Sequence, residues 1–256
     1  SLIFKRKTSL RYSKLFVFSR LSWVLNFLMF SKKKHMELAA KVLRELQVLS
    51  LKTHKKLIKK TKSNNNIEAP GWLKVFKTQL SYEKYSYELD ILDKNKAEYT
   101  LLNTGEIKKQ FPDLQTEYYK GVLFKNSLRV KSPLELSKNY FKYFIKSGGS
   151  FYKEICNDIK FINGHWTVYL NKNKKIFDEV VICTGPWSKN FLSNLGYKIP
   201  LAWERGYHHH FSTKKNIDLS PAIHDVDGGF VYSCNKNEIR VTSGVELNFR
   251  GADLNE

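Results

Sequence analysis

The chain has 256 residues, 42% of them hydrophobic and 27% charged, a globular composition that excludes disorder and fibrous repeats. Lys and Arg number 44 against 24 Asp and Glu, and the resulting net charge of +20 prompts a nucleic-acid or anionic-membrane reading. That surplus is local, because residues 1–60 hold 16 of the cations with only Glu37 and Glu45 against them.

Taken in chain order, the first marked feature is the apolar tract 15–30, which is broken by Arg20 and falls short of the roughly 20 residues a spanning helix needs. It reads as an amphipathic helix. Ser31 leads into Lys32, Lys33 and Lys34 with no small-residue cleavage site, which argues against a signal peptide. Leu38, Val42, Leu46, Leu49 and Leu57 recur every three to four residues or a multiple of that, so residues 36–60 are expected to be a helix with one buried face. Lys and Asn crowd together in 59–66, and uneven residue usage accounts for such a run without any partner. Pro70 and Gly71 then punctuate the chain. A strand over 72–76 follows, then a helical segment with Tyr82, Tyr85 and Leu89. Asn103 with Glu106 three residues on is a capping box, closed by Phe111-Pro112. The clearest helix starts at Ser132 as N-cap, with Pro133 in its first position and Glu135 reaching back to the cap amide. Its apolar face is Leu136, Tyr140, Phe141, Phe144 and Ile145, and Gly148-Gly149 stops it.

Short strands come next: 151–155, 158–162, 165–170 and 176–177, with Asn163-Gly164 as turn chemistry for a meander. The run 179–183 reads Glu-Val-Val-Ile-Cys, the pattern of a strand buried on both faces of a parallel sheet, and it ends in Thr184-Gly185. Cys183 is expected to be a small core residue there; Cys156, Cys183 and Cys234 have no paired spacing for zinc, a redox couple or a disulfide framework. A helix, a meander and a buried strand ending in a glycine turn form the back half of a flavin-type dinucleotide-binding domain. The phosphate-binding Gly-x-Gly-x-x-Gly occurs nowhere in the chain. With Ser1 in place of Met, and Glu256 just after a strand-like run, the expectation is a fragment lacking both termini.

Residues Val180 through Ser188, then Leu195-Gly196-Tyr197, Ile199-Pro200-Leu201 and Glu204-Arg205-Gly206-Tyr207-His208, resemble the FAD-dependent D-amino-acid dehydrogenase family within the D-amino-acid oxidase and glycine oxidase superfamily. The resemblance continues through 241–246 and, more loosely, back to 21–30. It implies an α/β fold: an incomplete FAD-binding Rossmann-like domain with an interleaved α+β substrate domain on an antiparallel or mixed sheet. The expected division is 1–125 as a cap part with basic helices, 126–195 as the second half of the FAD domain and 196–256 as substrate-domain strands. FAD is the implied cofactor, with Thr184, Gly185, Pro186 and Trp187 against it and Ile159 bonding the adenine through its backbone. A tight turn with a core Trp187 is the alternative for that segment.

Strand alternation puts Arg205 and Tyr207 on one face and His208 and His210 on the other. Arg205 or Tyr207 is a candidate for the substrate carboxylate, against a purely structural ion pair such as Glu204–Arg205. The family's principal carboxylate-binding Arg is expected beyond Glu256. Tyr232, on a hairpin joined by Asn235-Lys236-Asn237, either faces the flavin or packs. The histidine run places no third ligand and the family uses no metal, so none is expected.

The reading is an FAD-dependent oxidoreductase that oxidatively deaminates a D-amino acid, passing hydride from Cα to flavin N5 and electrons to a quinone-linked chain. This piece is expected to be inactive alone. Its partners are a small amino-acid substrate, a quinone acceptor and a peripheral membrane contact, with no nucleic acid, and its expected location is cytoplasmic, at the inner face of the cytoplasmic membrane. Another amine or amino-acid oxidase of the superfamily is the near alternative. The distant one is a basic membrane- or nucleic-acid-binding protein that uses residues 1–60.

Overall fold

Periodicity sets the helices of the N-terminal part, but the face of 36–60 expected to be buried is exposed at Leu38, Val42, Leu46 and Leu49, with Ile58 buried instead. In the computed structural model, which describes residues 10–213, 220–235 and 238–253, a short strand β1 (Leu10–Tyr12) is followed by α1 (Lys14–Ser19), α2 (Leu21–Phe30) and α3 (Lys33–Lys60). The Ser13 hydroxyl accepts the Phe16 N–H at 3.4 Å and so caps α1. The tract 15–30 is thus two short helices broken at Arg20, and none of the described helices is long and apolar enough to cross a membrane.

The middle of the chain alternates short strands and helices: β2 (Ile67–Glu68), β3 (Trp72–Phe76), α4 (Gln79–Glu83), α5 (Ser86–Lys94), β4 (Thr100–Asn103), α6 (Thr104–Gln110), β5 (Lys120–Phe124), β6 (Arg129–Val130) and α7 (Pro133–Lys146). The expected capping box opens α6: Asn103 Oδ1 accepts the Glu106 N–H at 2.9 Å and Glu106 Oε2 accepts the Asn103 N–H at 2.7 Å. At α7 the box is only half made. Ser132 Oγ accepts the Glu135 N–H, but the Ser132 N–H donates to Asn66 Oδ1 at 3.0 Å, and the Glu135 carboxylate turns to Lys138 at 2.8 Å. A distant asparagine took the amide, which freed the acid for an ion pair one turn on. Of the apolar face of α7 only Leu136 is buried, while Phe141, Phe144 and Ile145 are exposed.

The C-terminal half contributes β7 (Cys156–Ile162), β8 (His165–Leu170), β9 (Lys174–Phe177), α8 (Ser188–Asn194), β10 (Glu204–Ser212), β11 (Ala222–Asp225), β12 (Phe230–Asn235) and β13 (Glu238–Leu247). β7, β8 and β9 form the expected antiparallel meander, with Asn163 and Gly164 both at positive φ in its first turn. Two other expected strands are absent. Residues 151–155 have no regular structure, and Phe151 instead packs edge-on against Phe141 of α7. The run 179–183 pairs with no described strand and is largely solvent-facing: Val181 is 83% exposed and Cys183 is exposed. Apolar residues favour burial, but a strand exists only through its ladder partners, and none of the described strands lies beside this one.

The main sheet is mixed and eight-stranded. Its order is β1-β13-β12-β11-β3-β5-β4, with β10 pairing antiparallel along the other side of β13. β1 with β13 and β11 with β3 are parallel, and the other pairs are antiparallel. Strands from both ends of the chain therefore build one sheet, in an α/β fold of the expected interleaved kind. One face buries Leu73, Val75, Ile223 and Leu102 under Ile107 and Phe111 of α6 and its exit. The other buries Phe76 and Val122 under Tyr85 at the start of α5. Gly121 of β5 lets α6 close on the sheet, since a Cβ there would stand 3.2 Å from Ile107 Cδ1. The β12–β13 hairpin forms as expected; Lys236 and Asn237 of its turn lie outside the described residues.

Candidate functional site

The glycine turn after the unpaired run is well defined. Gly185–Trp187 is a single turn of tight helix that leads into α8, with Pro186 near its start and the Trp187 N–H on the Thr184 carbonyl at 3.2 Å. Thr184 Oγ1 lies 3.0 Å from Ser188 Oγ, which ties the turn to the first residue of α8. Gly185 has φ +56°, and a Cβ there would meet nothing within 4 Å, so the backbone is open to a flat or anionic neighbour. Trp187 is half-exposed and meets Trp203 edge-on at 5.5 Å, and Arg250 places its guanidinium 5.4 and 5.6 Å from the two ring centres. The sequence reading missed Arg250 and Trp203. Only the approach of the 249–252 turn to the 200–203 segment brings them there, and no local motif signals that.

Ile159 lies in β7, 4% exposed, in register with Val168 of β8. Its N–H is held by Asp158 Oδ1 at 2.9 Å, which leaves the carbonyl as its backbone atom for a further partner. Asn194, at the end of α8, donates to that same Asp158 oxygen at 3.2 Å and so links α8 to the meander.

Arg205 and Tyr207 share a face of β10, as alternation requires, and both reach Glu246 of β13. Arg205 Nη1 lies 3.4 Å from Glu246 Oε2 and donates to the Asp253 carbonyl at 2.8 Å, while Nη2 donates to the Ala252 carbonyl. The Tyr207 hydroxyl donates to Glu246 Oε2, and Asn248 Nδ2 donates to Oε1 at 2.9 Å. The Glu246 carboxylate is buried, yet these bonds, led by that of Tyr207, and the charge of Arg205 hold its pKa below the usual range. The ion pair of Arg205 thus crosses the strand pair to Glu246, where the sequence suggested its neighbour Glu204. His208 and His210 share the opposite face, with rings 5.3 Å apart, and His210 Nδ1 lies 2.5 Å from Glu238. No group of three or more potential metal ligands occurs among the described residues.

Tyr232 belongs to a separate cluster. Its hydroxyl is 3.4 Å from that of Tyr118, which donates to Asp225 Oδ2 at 3.1 Å; the same oxygen meets Lys77 Nζ at 2.9 Å. Asp225 is 1% exposed, and its other oxygen accepts the Gly228 N–H at 2.7 Å. Burial pushes the Tyr232 phenol far above its ordinary value, and the Asp225 contact raises that of Lys77. The structure therefore brings Arg205 with Tyr207, and Thr184 with Gly185, Pro186 and Trp187, but holds Tyr232 half-buried in the separate cluster with Tyr118 and Asp225. Glu246, Asp225 and Tyr118 escaped the sequence reading because single acids and tyrosines on strands carry no motif.

Residues 9–255 match the FAD dependent oxidoreductase (DAO) family, and this chain belongs to that family. A D-amino-acid oxidase of Bradyrhizobium diazoefficiens is 23% identical over 190 residues, covering 73% of this chain and 45% of that protein. Among solved structures, glycine oxidase from Bacillus cereus superposes with a TM-score of 0.66 at 16% identity, over 88% of this chain and 60% of that one. Glycine oxidase from Geobacillus kaustophilus gives a TM-score of 0.67 at 12% identity, over 82% of this chain and 58% of that one. The chain thus spans less than two thirds of the length of each of these relatives.

FAD is the cofactor of this family, and the residues present fit one side of it. The open Gly185 backbone, the half-exposed Trp187 indole and the exposed Arg250 cation suit a flat, partly anionic group. A glycine-rich amide cradle for the pyrophosphate is not found among the described residues.

Proposed function

We propose that this chain is part of an FAD-dependent enzyme that oxidatively deaminates a D-amino acid and passes the electrons to a quinone-linked chain. The match of residues 9–255 to the FAD dependent oxidoreductase family carries the reading, with the D-amino-acid oxidase as a distant relative in support. A bound flavin would supply the two-electron acceptor for oxidation of the substrate at Cα, and hydrolysis of the resulting imino acid would give a 2-oxo acid and ammonia. In this reading the turn Thr184, Gly185, Pro186 and Trp187 lies against the cofactor, and the Ile159 carbonyl meets the adenine. Arg205 is a cation fixed by Glu246 and two backbone carbonyls, and Tyr207 is a phenol oriented by the same carboxylate; together they form the side of the site that faces the substrate carboxylate. Tyr232 supports that sheet from within, through Tyr118 and Asp225.

The test is the visible spectrum of the full-length protein. Flavin bands near roughly 375 and 450 nm, bleached anaerobically by D-amino acids and not by their L-enantiomers, are expected. Absence of flavin, or bleaching by L-enantiomers alone, overturns the reading.

The acceptor and location belong to the same proposal. On α2, Leu21, Leu25 and Phe30 are more than half exposed, and Lys32, Lys33 and Lys34 follow directly, a combination suited to the inner, anionic face of a cytoplasmic membrane. Salt-sensitive co-sedimentation with anionic vesicles is expected, and equal recovery with neutral vesicles counts against it.

A further inference from the structure

A cleft of about 550 Å³ opens between α1–α2 on one side and the 186–190 and 200–203 segments on the other. Its lining contains two cations, Arg20 and Lys189, and no acid. Four aromatic side chains, Phe16, Trp23, Trp203 and Phe249, form its apolar part, and the remaining polar groups are hydroxyls and amides such as Ser22, Asn26 and Asn190. The walls are tied together: Trp23 Nε1 donates to the Pro200 carbonyl at 2.9 Å, and Lys189 Nζ donates to the Leu201 carbonyl at 3.3 Å. Trp23 also stacks on Phe27 at 5.4 Å, which fixes its ring. Among the described residues no acid forms an ion pair with Arg20, whereas Arg205 pairs with Glu246. Behind Trp203, Arg250 adds a further positive charge.

We infer that this cleft binds a small organic anion with an aromatic or apolar body, a carboxylate of the size of an aromatic amino or 2-oxo acid. Arg20 anchors the carboxylate, Lys189 adds to the attraction from the opposite wall, and Trp23 and Trp203 flank the apolar body. The volume lies within the range of small-molecule sites, and a lining that is half apolar and carries two cations without an acid selects charge of one sign. The site shares no residue with the Arg205–Tyr207–Glu246 cluster and shares Pro186 alone with the turn assigned to the cofactor. The inference stands whether or not the redox reading does, because it concerns binding alone.

Two indoles in the lining provide the readout. The full chain is titrated with 3-phenylpropanoate and with its neutral match 3-phenylpropanamide while tryptophan fluorescence is followed. The expected result is saturable quenching by the carboxylate only, weakened about tenfold or more in Arg20→Gln and restored to within about threefold in Arg20→Lys. Lys189→Gln, on the opposite wall, is expected to weaken binding in the same direction; it serves as the test if Arg20→Gln does not fold. Trp23→Phe is expected to reduce the amplitude. The inference is overturned by an absence of saturable quenching up to ~10 mM, by equal response to the amide, or by unchanged affinity in both charge variants. Tighter binding of AMP than of the carboxylate, or competition by added FAD, also overturns it, by assigning the cleft to a nucleotide.

Discussion

Replacing Asp225 with alanine tests how the sheet interior is held. The carboxylate is 1% exposed and accepts from Lys77 at 2.9 Å, from the Tyr118 hydroxyl at 3.1 Å and from the Gly228 N–H at 2.7 Å. Alanine removes all three at once. Lys77 is 39% exposed and recovers water, so little of the loss falls on it. Tyr118 is 3% exposed and keeps its long contact to Tyr232 and a bond with Thr116, and the Gly228 amide loses its acceptor. The hydrogen bonds of Tyr118 and Gly228 to a charged acceptor, at about 1.5–3 kcal/mol each and with the exposed Gly228 amide regaining water, give a cost of about 3–5 kcal/mol. For a chain of this size that lowers the melting temperature by roughly 6–20 °C. Asp225→Asn, which keeps the shape and one acceptor, is expected to cost about half as much. Urea denaturation of the three proteins in parallel measures it. A loss under ~1 kcal/mol for Asp225→Ala, or equal losses for both variants, refutes the view that this carboxylate organises the interior.

Glu246 sets a pH dependence. Its folded pKa lies below the ordinary value of 4.5, so its contribution to stability is present above that pH and is lost as the pH falls through the lower, folded value. Glu246→Gln is expected to flatten the acid limb of a stability–pH curve below about pH 4.5 and to leave the neutral-to-alkaline shape unchanged; an unaltered acid limb contradicts the assignment. The glycines divide by mechanism. Gly71 has φ +86° and a Cβ there would stand 2.5 Å from the Phe124 carbonyl oxygen, so Gly71→Ala is expected to cost about 2–4 kcal/mol in thermal unfolding. Gly185→Ala meets no atom, so only the positive φ costs, about 1–2 kcal/mol, and its larger effect is expected on flavin affinity of the full-length protein. Equal destabilisation by the two variants argues against that division.

Legibility followed the range of the interactions. The Asn103–Glu106 box, the Ser132 cap and the Asn163-Gly164 turn involve residues within a few positions of one another, so residue type alone announced them. Glu135 was misread because the competing partner of the Ser132 amide, Asn66, is 66 residues away. The run 179–183 was misread because apolar content reports a preference for burial, whereas a strand needs a neighbour. Arg205 and Tyr207 were singled out and placed on a common face correctly, yet the residue that joins them, Glu246, lies 39 positions beyond Tyr207.

What the sequence determined by itself was the local inventory: helices with their caps, the meander, the glycine turn and the family those motifs resemble. These depend on backbone propensity and short-range hydrogen bonds, which act before any distant contact forms. The tertiary structure alone decided which of the singled-out side chains meet. Antiparallel pairing of β12 with β11 and of β10 with β13 set the half-buried Tyr232 beside Asp225 and Tyr118, and fixed Arg205 on Glu246. The same packing turned Arg20, Trp23 and Trp203 into the lining of one cleft. Register between distant strands depends on the whole set of buried contacts, and no window of sequence contains it.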